Sequence, residues 1–271
     1  KDYNMYINGE WVESSEKERI QSVNPYNQEI WATIPQASED DVKAAVAAAK
    51  KTFYKVWKNT TGIQRANLMM KLADLLDQEA EKMSILESTD NGKVIRETRN
   101  QMHFSAKGYR YFAGWADKIY GEVVPLENQH LFDYTYREPL GVCVLITAWN
   151  SPISLLASKL APALAAGNTV VIKPSEHASV TTLEFAKLVE KAGFPPGVIN
   201  VITGDGRVGN ALTKNSSINK ISFTGGTATG IIISRNASEN LVPVTLELGG
   251  KAPNIIFDDA DIQQAETGAV A

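Results

Sequence analysis

One cysteine, three histidines and no long apolar run set the first limits on this 271-residue chain. A single thiol excludes an internal disulfide framework and suits a reducing compartment. The histidines, His103, His130 and His177, stand at no ligand spacing, so no metal site is visible. No run reaches the ~18 apolar residues that a membrane-spanning helix needs. The first residues, Lys-Asp-Tyr-Asn-Met-Tyr, lack the apolar core of a signal peptide. Positive charge is not in excess either: 27 basic against 31 acidic residues give a net charge of −4, which argues against a nucleic-acid footprint. These limits predict a soluble cytoplasmic protein with neither nucleic acid nor membrane as partner, long enough to bury a substantial core.

The chain divides by pattern. Residues 5–34 read as short strands, with a hairpin-like Asn8-Gly9 and a second turn at Asn24-Pro25-Tyr26-Asn27. Ser38, followed by Glu39, Asp40 and Asp41, caps a helix that runs to about Trp57. A second helix spans about 62–82, with Leu68, Leu72, Leu75 and Leu76 on one face. Asn91-Gly92 breaks the pattern, and a third helix covers about 94–119. Its aromatics Phe104, Tyr111, Phe112 and Trp115 have the spacing of a core face. Residues 120–139 hold two alternating segments around a polar centre and read as a two-stranded arm, marginal in water by itself.

From Leu140 short apolar runs alternate with helical segments. Strands are expected at 142–147, 169–172, 198–203, 220–224 and Val244–Leu248, with helices near 152–166, 179–192, 206–213 and 226–238. That pattern predicts a Rossmann-like, doubly wound α/β fold: a parallel sheet covered on both faces. The expected units are 1–119 as an N-terminal part, 120–139 for the arm, 140–251 for the α/β core, and 252–271 as the start of another domain. In that last unit, 253–258 reads as a strand and Asp261 as the cap of a helix.

Within the α/β unit several residues suggest chemistry. Glu247 alternates with apolar neighbours in what reads as a buried strand, ahead of Gly249-Gly250. A desolvated carboxylate there has a raised pKa and suits a general base, or it is a structural group paired with Lys251. Gly204-Asp-Gly-Arg-Val-Gly209 is a literal G-x-G-x-x-G, but no acidic residue follows about 20 positions on, so it is rejected as the phosphate site. Gly225-Gly-Thr-Ala-Thr-Gly230 opens a helix, where free amides favour a pyrophosphate; the alternative is a glycine turn for packing. Lys173 ends a strand and precedes Glu176, a ligand pair or a surface ion pair. Asn150 precedes Ser151-Pro152 and could simply cap the next helix. Cys143 lies among Val142, Val144, Leu145 and Ile146, as a buried and inert thiol would.

Four segments in order resemble the signatures of the aldehyde dehydrogenase superfamily: Ala148-Trp-Asn-Ser-Pro152, Ile172-Lys-Pro-Ser-Glu176, Phe223-Thr-Gly-Gly-Thr-Ala-Thr-Gly230 and Glu247-Leu-Gly-Gly-Lys251. The resemblance implies an enzyme that oxidises aldehydes with NAD as cofactor, as a homo-oligomer. It implies Asn150 as an oxyanion donor and Glu247 as the base that activates water. Cofactor contacts would come from Trp149, Lys173, Ser175, Glu176, Gly225, Gly226, Gly230, Leu248 and Gly249. Relatives often carry Ser where Gly226 stands, so one hydroxyl contact to phosphate would be missing. Ser151, Ser154, Leu155 and Ser158 would share one helix face lining the substrate tunnel, with the serines leaving a wider, more polar entrance. The resemblance makes the arm an oligomerisation element that a distant C-terminal strand completes. The family's nucleophilic cysteine lies roughly thirty residues after this glutamate, beyond Ala271. The chain is therefore expected to be a truncated form, inactive alone, or else a non-catalytic dinucleotide-binding module.

Overall fold

The computed structural model describes residues 1–270. The first strands are β1 (Met5–Ile7), β2 (Glu10–Val12), β3 (Arg19–Val23) and β4 (Ile30–Pro35). Asn8 and Gly9 join β1 to β2 with φ of 54° and 82°, the paired positive values of a tight hairpin turn. Four helices follow: α1 (Glu39–Lys55), α2 (Gly62–Gln78), α3 (Ala80–Asn91) and α4 (Ile95–Ala113). Ser38 and Asp41 cap α1 reciprocally. The single helix expected at 62–82 is interrupted at Glu79, which ends α2 and precedes α3.

The arm is a ribbon of β5 (Val123–Val124) against β6 (Asp133–Tyr134). Next come β7 (Val142–Ile146), α5 (Pro152–Ala165), β8 (Thr169–Lys173), α6 (Val180–Ala192), β9 (Ile199–Val201) and α7 (Gly206–Thr213). The last elements are β10 (Lys220–Gly225), α8 (Thr227–Ser238), β11 (Val244–Leu248) and α9 (Ile262–Val270). The main sheet has the order β11-β10-β7-β8-β9-β1-β2, and its first five strands are parallel.

Strand alternation divides the core into two layers. On β7, Cys143 and Leu145 face the layer formed with α2 to α6, while Val142, Val144 and Ile146 face the layer formed with α1, α7 and α8. On β8, Val170 and Ile172 face the first layer and Val171 the second. This is the doubly wound arrangement that the apolar runs predict. Strand order reverses between β7 and β10, and ligands of such sheets bind at that point, beyond the carboxyl ends of the strands.

Three expectations fail. α4 ends at Ala113, short of the expected 119, and the expected aromatics form no core face: Phe104, Tyr111 and, beyond the helix, Trp115 are exposed and Phe112 is half-buried. The buried stripe is Thr98, Met102, Ala106, Tyr109 and Ala113, whose mostly small side chains let α4 lie against α2 and α5. β11 is not a buried strand, because it forms the sheet edge; Val244 and Leu246 are half-buried, and Glu247 is exposed. Residues 253–258 form no strand. They have no neighbour to pair with among the described residues, and Ile255, Ile256 and Phe257 are exposed. Asp261 does accept from Gln264 N at 3.1 Å and so caps α9.

Candidate active site

A cleft of about 1190 Å³ opens at the carboxyl ends of β7, β8, β10 and β11. It brings together Trp149, Asn150, Leu155, Ser158, Lys173, Ser175, Glu176, Gly225, Gly226, Glu247, Leu248 and Gly249. These residues come from four segments far apart in sequence, each delivered by the end of a strand.

Asn150 is exposed and lies in the turn between β7 and α5. Pro152 occupies the first turn of α5, where its missing N–H costs nothing. Asn150 does not cap this helix: Ser151 holds the cap position and makes no side-chain cap bond. Glu247 pairs with Thr224 in the β10–β11 register and lines the cleft with Gly225 and Gly226. No cation lies within ion-pair distance of Glu247 among the described residues, and the pairing with Lys251 does not form. Glu247 is exposed because β11 is an edge.

Lys173 ends β8 and is buried, 4% exposed. Its ammonium lies 3.5 Å from Glu176 and donates to Pro174 O at 3.1 Å. Burial pulls its pKa down, and the charge of Glu176 acts against that shift. A surface ion pair is thereby excluded for the lysine. Gly226 caps α8 without a side-chain bond, and a Cβ placed there would meet nothing within 4 Å. The start of α8 thus presents free amides to an open space, the local condition for a phosphate.

Some residues fall elsewhere. Gly230 is buried under β11, where an added Cβ would come within 2.8 Å of Leu248 Cδ2; it serves packing and does not line the cleft. Of the expected tunnel face, Leu155 and Ser158 reach the cleft, but Ser151 and Ser154 do not. Ser151 precedes the helix, with φ of −155°, so its side chain leaves the helical stripe and is buried against Lys93. Ser158 Oγ donates to Leu155 O at 2.9 Å. Of the three serines, Ser158 alone lines this cleft. Cys143 is buried in β7, and burial pushes its thiol up to about 12.

Sequence reasoning missed Lys159. It is the one charged residue of α5, buried at 8% exposed, and donates to Ser222 Oγ at 3.1 Å inside the cleft. Burial lowers its pKa, opposed by the charge of Glu247. A lone lysine in an apolar helix is the signal that could have found it. At the far end of the cleft, Gly206 and Gly209 of the rejected glycine motif also line the wall, with Asn210, Thr213 and Asn236. Asn236 Nδ2 donates to Asn210 Oδ1 at 3.0 Å and to Thr213 Oγ1 at 2.9 Å. No group of acidic, histidine or cysteine side chains that could hold a metal occurs among the described residues, nor does a helix long and apolar enough to cross a membrane.

The "Aldehyde dehydrogenase family" model matches residues 11–271. The chain is 46% identical over 273 residues to the (Z)-2-((N-methylformamido)methylene)-5-hydroxybutyrolactone dehydrogenase of Acinetobacter baylyi, an alignment covering 100% of this chain and 56% of that protein. Identity is 45% over 264 residues to the betaine aldehyde dehydrogenase of Bacillus subtilis, covering 96% and 54%. Among solved structures, betaine aldehyde dehydrogenase from Staphylococcus aureus in complex with NAD+ superimposes with a TM-score of 0.96 at 40% identity, covering 98% of this chain and 53% of that one. The chain spans about half the length of the curated relatives it matches. By the extent of these matches, the chain belongs to the aldehyde dehydrogenase family.

Proposed function

We propose that this chain is the cofactor-binding part of a longer NAD-dependent aldehyde dehydrogenase. The observation that carries the reading is the meeting of Asn150, Glu247, the Lys173–Glu176 pair and the open start of α8 in one cleft at the strand-order reversal. The fit to a dinucleotide rests on two features: the α8 amides face unobstructed space at Gly226, and Lys173 with Glu176 stands at the end of β8. The α8 start would hold the pyrophosphate, and Lys173 and Glu176 a ribose. When bound, NAD supplies the hydride acceptor.

The chain's own residues then have separate tasks. The Asn150 amide donates to the oxyanion of the aldehyde adduct, a role for a polar N–H held at the cleft mouth. Glu247, exposed to solvent, takes a proton from the water that hydrolyses the acyl product. Lys159, buried in the same cleft, feels the charge of Glu247. The nucleophile must be a thiol other than Cys143, whose burial in β7 denies it both substrate and thiolate form. We propose accordingly that the 271 residues alone do not oxidise aldehydes, and that the longer protein works in the cytoplasm as a homo-oligomer. The arm supports association: Val123, Phe132, Tyr134 and Tyr136 are all exposed on a two-stranded ribbon.

The test is NADH formation from a panel of aldehydes by the longer protein and by its Glu247→Gln variant. Turnover in the first and loss of at least ~100-fold in the second is expected. Full activity of the variant would remove Glu247 from its role. No oxidation of any aldehyde would favour a non-catalytic dinucleotide-binding module, the reading to which the buried Cys143 points for the chain by itself.

A further inference from the structure

We propose that Asn91 and Lys93 are positioning residues for the Asn150 amide, acting through the backbone of the segment that carries it. The inference rests on the oxyanion role proposed for Asn150.

The Asn150 side chain makes no hydrogen bond among the described residues, so its placement depends on its backbone. That backbone is weakly held by the fold itself. Thr147 N donates to Lys173 O, and Ser151 O accepts from Leu155 N, but residues 148–150 have no main-chain hydrogen bond between them among the described residues. The ties come instead from the end of α3. Asn91 Nδ2 donates to Trp149 O at 3.0 Å and to Asn150 O at 3.4 Å. Lys93 Nζ donates to Ser151 Oγ at 2.8 Å and to Asn150 O at 3.4 Å. Ser151 Oγ donates in turn to Asn150 O at 2.8 Å. Three donors thus converge on the carbonyl of the residue whose side chain faces the cleft.

The brace is itself fixed. Gly92 ends α3 in the left-handed region, at φ of 76°, with Pro25 Cγ 2.8 Å from where a Cβ would stand. The turn lets Asn91 Oδ1 accept from Lys93 N at 2.9 Å, which commits the amide's oxygen and leaves its N–H groups for the 149–150 carbonyls. One residue earlier, Asp90 accepts from Ser22 Oγ at 2.8 Å and from Val180 N at 2.9 Å, anchoring the end of α3 to β3 and to the start of α6. Glu87, a turn back, accepts from Ile153 N at 3.3 Å and so holds the start of α5. Lys93 also lies 3.6 Å from Glu97, the one carboxylate in ion-pair reach of it among the described residues. In the sequence Asn91-Gly92 reads only as a helix stop; in the fold it points two donors at the oxyanion segment.

A double-mutant cycle in the longer protein tests this. Asn91→Ala should lower kcat by ~3–10-fold, the loss of one or two neutral hydrogen bonds, with KM for NAD unchanged. In the Asn150→Ala background the same substitution should lower kcat no further, because the group it positions is gone. Lys93→Met should behave likewise, and Lys93→Arg should restore most of the rate; this second pair reads the brace if Asn91→Ala folds poorly. An equal loss in both backgrounds would make Asn91 an ordinary structural residue and overturn the proposal, as would an unchanged kcat. If Asn150→Ala itself leaves kcat intact, the oxyanion reading falls, and the brace with it.

Discussion

The ring of Phe223 lies over Gly225, two residues along the same face of β10. A Cβ added at 225 would stand 2.9 Å from Cε2 of that ring. Phe223 is 4% exposed and belongs to the core layer shared with α1, α7 and α8, so the ring has little room to retreat. The packing beneath the β10–α8 turn therefore requires a glycine at 225.

Gly225→Ala should accordingly destabilise the fold by about 1–3 kcal/mol, the usual cost of overpacking a filled core. Urea denaturation of the chain measures it. A midpoint equal to that of the unmodified chain would mean that Phe223 moves freely and that the contact carries no strain.

Gly226 behaves differently, since a side chain there meets only open space. Gly226→Ser should supply the cap that α8 lacks, worth a few tenths of a kcal/mol over glycine. Its hydroxyl can at the same time donate to a phosphate. The expected results are a slightly higher Tm and a lower Kd for NAD; a higher Kd would show that the phosphate does not sit at this helix start.

Much of this was legible in the sequence because the α/β unit obeys one rule throughout. Apolar runs of strand length alternate with helical stretches, and every strand from 142 to 248 formed within one or two residues of its expected bounds. The cleft residues followed because strand ends and glycine turns mark them. What failed had a common cause, the dependence on neighbours that local pattern does not contain. Alternation in Val244–Leu248 cannot say that β11 is an edge, and helical spacing in α4 cannot say which of two apolar stripes meets α5. Ser151 looked helical by counting, although the helix starts one residue later. Lys159, Asn91 and Lys93 were invisible because their partners, Ser222 and the carbonyls of 149–150, are contacts made only in the fold.

Stability should depend on pH through Glu87. Burial raises its pKa to about 7, against a backbone bond from Ile153 and the nearby Lys93 charge. A carboxyl whose folded pKa exceeds its unfolded value contributes stability below the unfolded pKa, and that contribution is lost as pH rises through the folded one. Asp90, raised to about 6, acts in the same direction. Stability should thus fall between about pH 4.5 and pH 7 by roughly 1–3 kcal/mol from Glu87. Glu87→Gln should flatten that part of the profile in denaturant titrations across pH 5–8. An identical slope in both proteins would exclude Glu87 as the titrating group.

Cofactor choice should rest on Glu176. Its carboxylate, 3.5 Å from Lys173, would accept from a ribose 2′-hydroxyl and repel a 2′-phosphate. NAD should bind more tightly than NADP, by about 1.5–3 kcal/mol, and Glu176→Gln should narrow the gap. Paired titrations by fluorescence read both. Tighter NADP binding, or a gap unaffected by the substitution, would contradict the assignment.

The central claim, that this cleft is a dinucleotide site, is tested most directly by calorimetric titration of NAD into the chain and into its Lys173→Ala variant. Saturable binding of one NAD per chain is expected, weakened by roughly 10–100-fold when the buried ammonium at the end of β8 is removed. No saturable binding by the unmodified chain, or equal affinity in the two proteins, would contradict it.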